Sequence, residues 1–200
     1  MKIANFQKFS LIEYPGKISC IIFTQGCNFN CLYCHNPELI PTNTEKFILE
    51  EEILKFLEKR KNQIDAVVIT GGEPTLQPDL IDFLKKLKNM NFLLKLETNG
   101  SKPEIIKKIL EYKLLDFITM DIKSPPEKYE TITKTKIDFS IINESIEIIK
   151  NSKIPFEFRT TLLEKIIDEK DIEKIKKLFP NLNLTINNAI LKNRLKKLKP

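Results

Sequence analysis

Six apolar, β-branched runs of strand length punctuate this chain, at Ile18–Thr24, Ala66–Thr70, Phe92–Glu97, Phe117–Ile122, Phe156–Thr161 and Leu182–Ile186. Between them, Glu45–Lys59, Pro78–Lys88, Pro103–Tyr112, Phe139–Asn151 and Asp168–Phe179 repeat apolar residues at spacings of three and four, several opening on Pro, Thr, Ser or Asp. Strand-helix alternation of this kind predicts an α/β fold whose sheet is parallel and joined by right-handed crossovers. No low-complexity linker, fixed-period repeat or Gly/Ser-rich hinge interrupts it, so a single domain over 1–200 is expected.

Strands of a parallel sheet covered on both faces read as unbroken apolar runs, and three of these do not. Lys95 and Glu97 share one face of the third run, Asp121 and Lys123 one face of the fourth, and Glu157 and Arg159 one face of the fifth. Their opposite faces carry Leu94 and Leu96, Ile118, Met120 and Ile122, and Phe156 and Phe158. For a single strand, a charge near the end simply reaches water. Repetition over three successive strands points instead to one concave polar surface inside a sheet curled into a partial barrel, with the ligand end at the strands' C-termini.

Composition removes several classes of function. The 33 basic residues outnumber the 27 acidic ones, giving a net charge of +6, but only Arg60, Arg159 and Arg194 are arginines. The lysines are scattered among Glu and Asp on helical faces without neighbouring aromatics, so no nucleic-acid partner is expected. No apolar stretch is long enough to span a membrane, and the opening MKIANFQKFS lacks a leader's apolar run, so a cytoplasmic location is expected. In that compartment cysteines serve metal binding or catalysis more often than disulfides.

Cys27, Cys31 and Cys34 form a Cys-x3-Cys-x2-Cys array just beyond the first predicted strand, while Cys20 sits alone inside it. Zinc asks for four ligands, commonly from two knuckles; no second knuckle exists, and His35, adjacent to Cys34, reaches awkwardly. An iron-sulfur cube can be held by three thiolates of one tight loop, which leaves one iron open to an exogenous ligand. Cys20 reads as a small, buried, apolar residue.

This array, with Tyr33 before the last cysteine and Gly71-Gly72-Glu73-Pro74 one strand later, resembles the radical S-adenosylmethionine superfamily. Tyr14-Pro15-Gly16, Cys34-His35-Asn36-Pro37, Leu96-Glu97-Thr98-Asn99-Gly100 and Met120-Asp121-Ile122-Lys123 are similar to the glycyl-radical-enzyme activating enzymes, above all the anaerobic ribonucleoside-triphosphate reductase activating proteins. The likeness covers about residues 8–165 and leaves the tail 189–200 unassigned.

The resemblance implies a partial (β/α)6 TIM-like barrel, a [4Fe-4S] cluster on Cys27, Cys31 and Cys34, and S-adenosylmethionine on the open iron. It also implies a 5′-deoxyadenosyl radical that takes hydrogen from a glycine of a partner enzyme. Gly71, Gly72, Glu73 and Pro74 are then expected near the cofactor ammonium, and Tyr33 with the backbone of His35 near the adenine. Thr98, Asn99, Asp121 and Lys123 are expected near the ribose and carboxylate. Arg159 is expected either on that carboxylate or in a salt bridge with Glu157 or Asp121. Some members hold a monovalent cation at the positions of Glu97 and Asp121, although Glu97 stands here in place of an Asp. The expected partners are anaerobic ribonucleotide reductase and a flavodoxin or ferredoxin. Two competing readings remain: a pterin-derived small-molecule substrate on the same chemistry, and a non-catalytic iron-sulfur or zinc protein.

Overall fold

A computed structural model describes residues 1–43, 46–163, 166–180 and 182–188. One seven-stranded sheet runs in sequence order: β1 (Ile3–Ser10), β2 (Ser19–Thr24), β3 (Ala66–Gly71), β4 (Leu93–Thr98), β5 (Phe117–Asp121), β6 (Phe156–Leu162) and β7 (Leu184–Asn188). From β2 to β7 every pairing is parallel, which matches the six expected strands and the TIM-like architecture. The helices are α1 (Glu50–Arg60), α2 (Leu80–Asn89), α3 (Pro103–Glu111), α4 (Pro126–Thr133), α5 (Phe139–Lys150) and α6 (Glu169–Leu178).

The convex face of the sheet explains the outward apolar residues. Cys20, Ile22, Val67, Ile69, Leu94, Leu96, Ile118, Met120 and Phe158 are buried there with Leu57, Phe83, Leu87, Ile106, Ile142 and Ile146 of the covering helices. Removing so much apolar surface from water, at about 25 cal/mol per Å², is what holds helices to sheet. On the concave face, the N-terminal end of the strands is plugged by Tyr14, packed with Ile21, Ala66 and Val68, its ring centroid 6.0 Å from that of Phe117. Toward the strands' C-termini the same face becomes polar.

Two elements were not expected. β1 pairs antiparallel with β2, and register shifts at Ile3/Asn5 and Gln7/Ser10 break its two-residue period, leaving alternation too weak to read. Helix α4 carries only Tyr129 and Ile132 as buried apolar side chains, too few for a helical pattern, although Pro126 at its first turn and the left-handed Lys134 at its end are ordinary stop and start signals. Boundaries also moved: the last strand, expected at Leu182–Ile186, is Leu184–Asn188, and the second helix starts at Leu80 rather than Pro78. The first helix was expected from Glu45, which lies outside the described residues, but Ile48 donates its N–H to the Ile3 carbonyl in an antiparallel bridge, so the helix starts at Glu50. The tail 189–200 lies outside the described residues.

Candidate functional site

At the C-terminal ends of the strands, a cavity of about 280 Å³ is lined by Cys27, Cys31 and Cys34 on one side and by polar residues of β3 to β7 on the other. Every expected site residue lines it except Pro74, whose buried ring opens the short 3-10 turn Pro74–Leu76 behind the wall. Phe29, Asn36, Thr70, Thr161 and Asn187 line it as well and were not expected; Thr70 was readable only as a polar residue two positions beyond the inward Val68.

The cysteine loop is anchored at three places. Gly26 and Cys27 donate their N–H groups to the carbonyls of Leu39 and Ile40 at 2.8 and 3.1 Å. Asn30 and Leu32 donate theirs to Thr133 and Ile132 at the end of α4, at 2.8 and 3.0 Å. A turn closed by Cys34 N–H on the Cys31 carbonyl, 3.1 Å away, sets the last two cysteines side by side. Burial pushes the Cys27 thiol up to about 12 and raises Cys31 as well, so neither is an exposed reactive thiol in the metal-free chain. Cys27, Cys31 and Cys34 line one wall of the cavity together, so three thiolates of one loop are at hand for an iron-sulfur cube that leaves one iron open. Cys20 is fully buried on the outer face, as its apolar reading requires.

Opposite the cysteines, the Gly71-Gly72 turn is dictated by packing. A Cβ on Gly72 would lie 2.1 Å from the Gly26 carbonyl oxygen, and one on Gly71, at φ +120°, 2.3 Å from the Thr24 nitrogen. The glycines thus make room for the chain's own loop at Thr24 and Gly26. Gly72 and Glu73 donate their N–H groups to Thr24 and Gly26, at 2.9 and 2.8 Å, which locks the turn to the cysteine loop. Gly72→Ala is expected to lower stability by about 3 kcal/mol, the upper end for overpacking against rigid atoms, or roughly 6–12 °C in melting temperature by calorimetry.

Glu73 is 1% exposed and its carboxylate accepts four hydrogen bonds: Thr75 N at 3.1 Å, Thr75 Oγ1 at 2.5 Å, Thr98 Oγ1 at 2.7 Å and Asn99 N at 2.7 Å. Burial raises its pKa, against the lowering by those donors. The Gly-Gly-Glu-Pro turn and the Thr-Asn-Gly end of β4 are thus one hydrogen-bonded unit. Tyr33 is buried, its ring packed in a cluster with Ile132, Leu163, Ile167 and Ile172 while still lining the cavity, and its hydroxyl donates to the Lys123 carbonyl at 3.4 Å. His35 is exposed at the rim.

The charges on alternate strand positions do meet. Arg159 Nη1 lies 3.1 Å from Glu97 and its Nε 3.2 Å from Asp121; Lys95 Nζ is 3.0 Å from Glu97, and Lys123 Nζ 2.9 Å from Asp121. Lys95 also donates to the Glu13 carbonyl at 2.6 Å, which ties the network to the plug below, and Thr70 Oγ1 donates to Glu97 at 3.0 Å. Glu157 is not Arg159's partner: it accepts from Thr185 at 2.6 Å. Glu97 and Asp121, where a monovalent cation was expected, are each already paired with two basic side chains of the chain itself.

Burial alone would push both carboxyls up, but Arg159 and Lys95 on Glu97, and Lys123 and Arg159 on Asp121, hold both below the usual carboxylate range. Their folded pKa values lie under the unfolded ones. The stability they contribute is therefore complete above about pH 4 and is lost as pH falls through the folded values. Denaturant midpoints are expected to fall on acidification in that window, and less steeply in Asp121→Asn.

A family model described as the radical SAM superfamily matches residues 21–179. The chain belongs to this superfamily. A Methanocaldococcus jannaschii protein named for glycyl-radical enzyme activation is 36% identical over 192 residues, covering 91% of this chain and 77% of the relative. The pyruvate formate-lyase-activating enzyme of Clostridium pasteurianum is 30% identical over 189 residues, covering 90% and 77%. Both place this radical SAM enzyme with the activating enzymes of glycyl-radical enzymes, whose cofactors are a [4Fe-4S] cluster and S-adenosylmethionine. Solved structures show the same fold at lower identity. TYW1 with a lysine-pyruvate adduct bound aligns with a TM-score of 0.67 at 20% identity, over 90% of this chain and 67% of that one. For anSMEcpe with bound AdoMet the values are 0.60 and 20%, over 83% and 49%. Among the described residues, no helix is long and apolar enough to cross a membrane.

Proposed function

We propose that this radical SAM chain generates a glycyl radical on anaerobic ribonucleoside-triphosphate reductase, with a flavodoxin or ferredoxin as electron donor. When bound, the cluster and S-adenosylmethionine supply a 5′-deoxyadenosyl radical by one-electron reductive cleavage to methionine, and that radical takes a hydrogen atom from the partner's glycine.

The chain's own residues prepare the cavity for this. Cys27, Cys31 and Cys34 hold the cluster on one wall. On the other, Arg159 and Lys123 receive the cofactor carboxylate, and the Gly71–Glu73 turn, with the N–H groups of Gly72 and Glu73 already bonded, presents carbonyl oxygen to the ammonium. Tyr33 and the rim at His35 flank the adenine, and Thr98 and Asn99 keep the Glu73 wall in place.

The observation that carries a protein substrate is the open sheet. Among the described residues β1 and β7 are its two unjoined edges, and Asn187 on β7 lines the cavity, so the cavity wall runs to a free edge. A glycine carried on a polypeptide loop needs such lateral access, whereas a small substrate needs a wall that closes over it.

Anaerobic incubation of the reconstituted, reduced chain with S-adenosylmethionine and anaerobic ribonucleotide reductase is expected to give the doublet electron paramagnetic resonance signal of a glycyl radical. A signal with a different glycyl-radical enzyme and none with the reductase overturns the partner. Turnover of a small pterin-derived substrate, with no signal from any such enzyme, overturns the protein substrate.

A further inference from the structure

We propose that Asn99 is a positioning residue for the cluster: its side-chain amide donates a hydrogen bond to the Cys27 sulfur and raises the cluster's reduction potential. This rests on the reading of Cys27 as a cluster ligand.

Every polar atom of the Asn99 side chain has a partner within the chain. Its Oδ1 accepts from Ser101 N at 2.9 Å; its Nδ2 donates to Asn28 Oδ1 at 3.0 Å and approaches Cys27 Sγ at 3.9 Å. The orientation of the amide is fixed by chemistry. Ser101 N–H can only donate, so the oxygen of Asn99 must face it and the NH2 must face Cys27. Asn28 is oriented in turn: facing an NH2 that can only donate, it presents Oδ1 to Asn99, and its own Nδ2 donates to Ser101 Oγ at 2.8 Å. Both amide hydrogens are directed at partners within the chain, so the side chain has no donor left over for a carboxylate.

The sulfur is the acceptor whose charge changes. Cys27 Sγ has one other donor at hand, Phe29 N–H at 3.4 Å. As a cluster ligand it is a thiolate, a stronger acceptor than the thiol, and both contacts gain. Asn99 is 5% exposed, so little water competes for the bond. Reduction adds an electron to the cluster and spreads part of it onto the ligand sulfurs. Donors aimed at those sulfurs therefore stabilise the reduced state more than the oxidised one.

The backbone N–H of the same residue holds Glu73 Oε2 at 2.7 Å. Asn99 thus joins the Gly-Gly-Glu-Pro turn to the first cluster cysteine, and the position of that wall and the electronics of the cluster meet in one side chain.

The test is a dithionite titration of the reconstituted protein, following the reduced cluster by electron paramagnetic resonance, for wild type, Asn99→Ala, Asn99→Asp and Ser101→Ala. Asn99→Ala is expected to lower the midpoint so that the reduced-to-oxidised ratio at a fixed potential falls about tenfold, equivalent to 59 mV for one electron. Asn99→Asp keeps the acceptor for Ser101 N–H and serves if the alanine variant fails to take up a cluster; it too is expected to lower the midpoint. Ser101→Ala disturbs Asn28 but leaves the sulfur donor, so its midpoint is expected to match wild type. Unchanged midpoints in both Asn99 variants overturn the proposal, and weaker S-adenosylmethionine binding alongside would make Asn99 a cofactor contact. An equal drop in Ser101→Ala overturns it as well, by assigning the effect to the network. If wild type assembles no cluster, the reading of Cys27 falls first.

Discussion

Arg159→Leu is expected to destabilise the metal-free chain by about 2–4 kcal/mol and to weaken S-adenosylmethionine binding to the holoenzyme by roughly 10–100-fold. Arg159 is the one side chain that touches both carboxylates, so its loss leaves Glu97 and Asp121 each with a single lysine. Removing one partner of a fully buried pair costs about 3–5 kcal/mol. The smaller figure applies because those lysines remain and because a third of the Asp121 side chain, 34%, still faces water in the cavity. The affinity loss has a separate origin. Without Arg159 the cofactor carboxylate is left with Lys123 alone, and the attraction for that group falls with it. Arg159→Lys keeps the charge but reaches fewer of the two carboxylates' oxygens, so it should rank between wild type and leucine in both denaturant midpoint and calorimetric affinity. Equal affinity in all three proteins would remove Arg159 from the cofactor site and leave it a barrel salt bridge.

Cys31→Ala is expected to abolish 5′-deoxyadenosine formation, because two thiolates on this loop cannot hold a site-differentiated cube. The contrast is Cys20→Ala, which removes a sulfur from the outer face of β2, away from the cavity. That change should cost about 1 kcal/mol of stability and leave iron content and nucleoside yield intact. Iron and sulfide analysis after anaerobic reconstitution separates the two. Full iron loading in Cys31→Ala would mean that the array does not hold the cluster.

Much of the fold is legible in the sequence because periodicity is a local property. Six parallel strands and the covering helices follow from spacings within single segments, and the charged faces of β4, β5 and β6 are visible for the same reason. What escaped depends on partners distant in sequence. Glu73 reads as a negative charge beside a ligand; that Thr98 and Asn99, 25 and 26 residues away, fill its acceptors follows only from the register that sets β3 beside β4. Gly71 and Gly72 are expected beside the cofactor ammonium, but the atoms a side chain there would strike belong to Thr24 and Gly26, which the β2–β3 pairing brings close. Asp121 was already a candidate partner for Arg159 and Lys95 shares the face of Glu97; that Arg159 reaches Glu97 as well follows only from the strand order β4-β5-β6. The helix α4 escaped because two apolar residues make no period, yet its terminal carbonyls anchor the cysteine loop.

Reductive cleavage of S-adenosylmethionine in this cavity is tested anaerobically on the reconstituted chain. After reduction by dithionite with S-adenosylmethionine present, chromatography should show 5′-deoxyadenosine and methionine forming together, in equal amounts and only when the cluster is loaded. A loaded, reducible cluster that leaves S-adenosylmethionine intact would rule out this chemistry and reassign the three cysteines to electron transfer or structure.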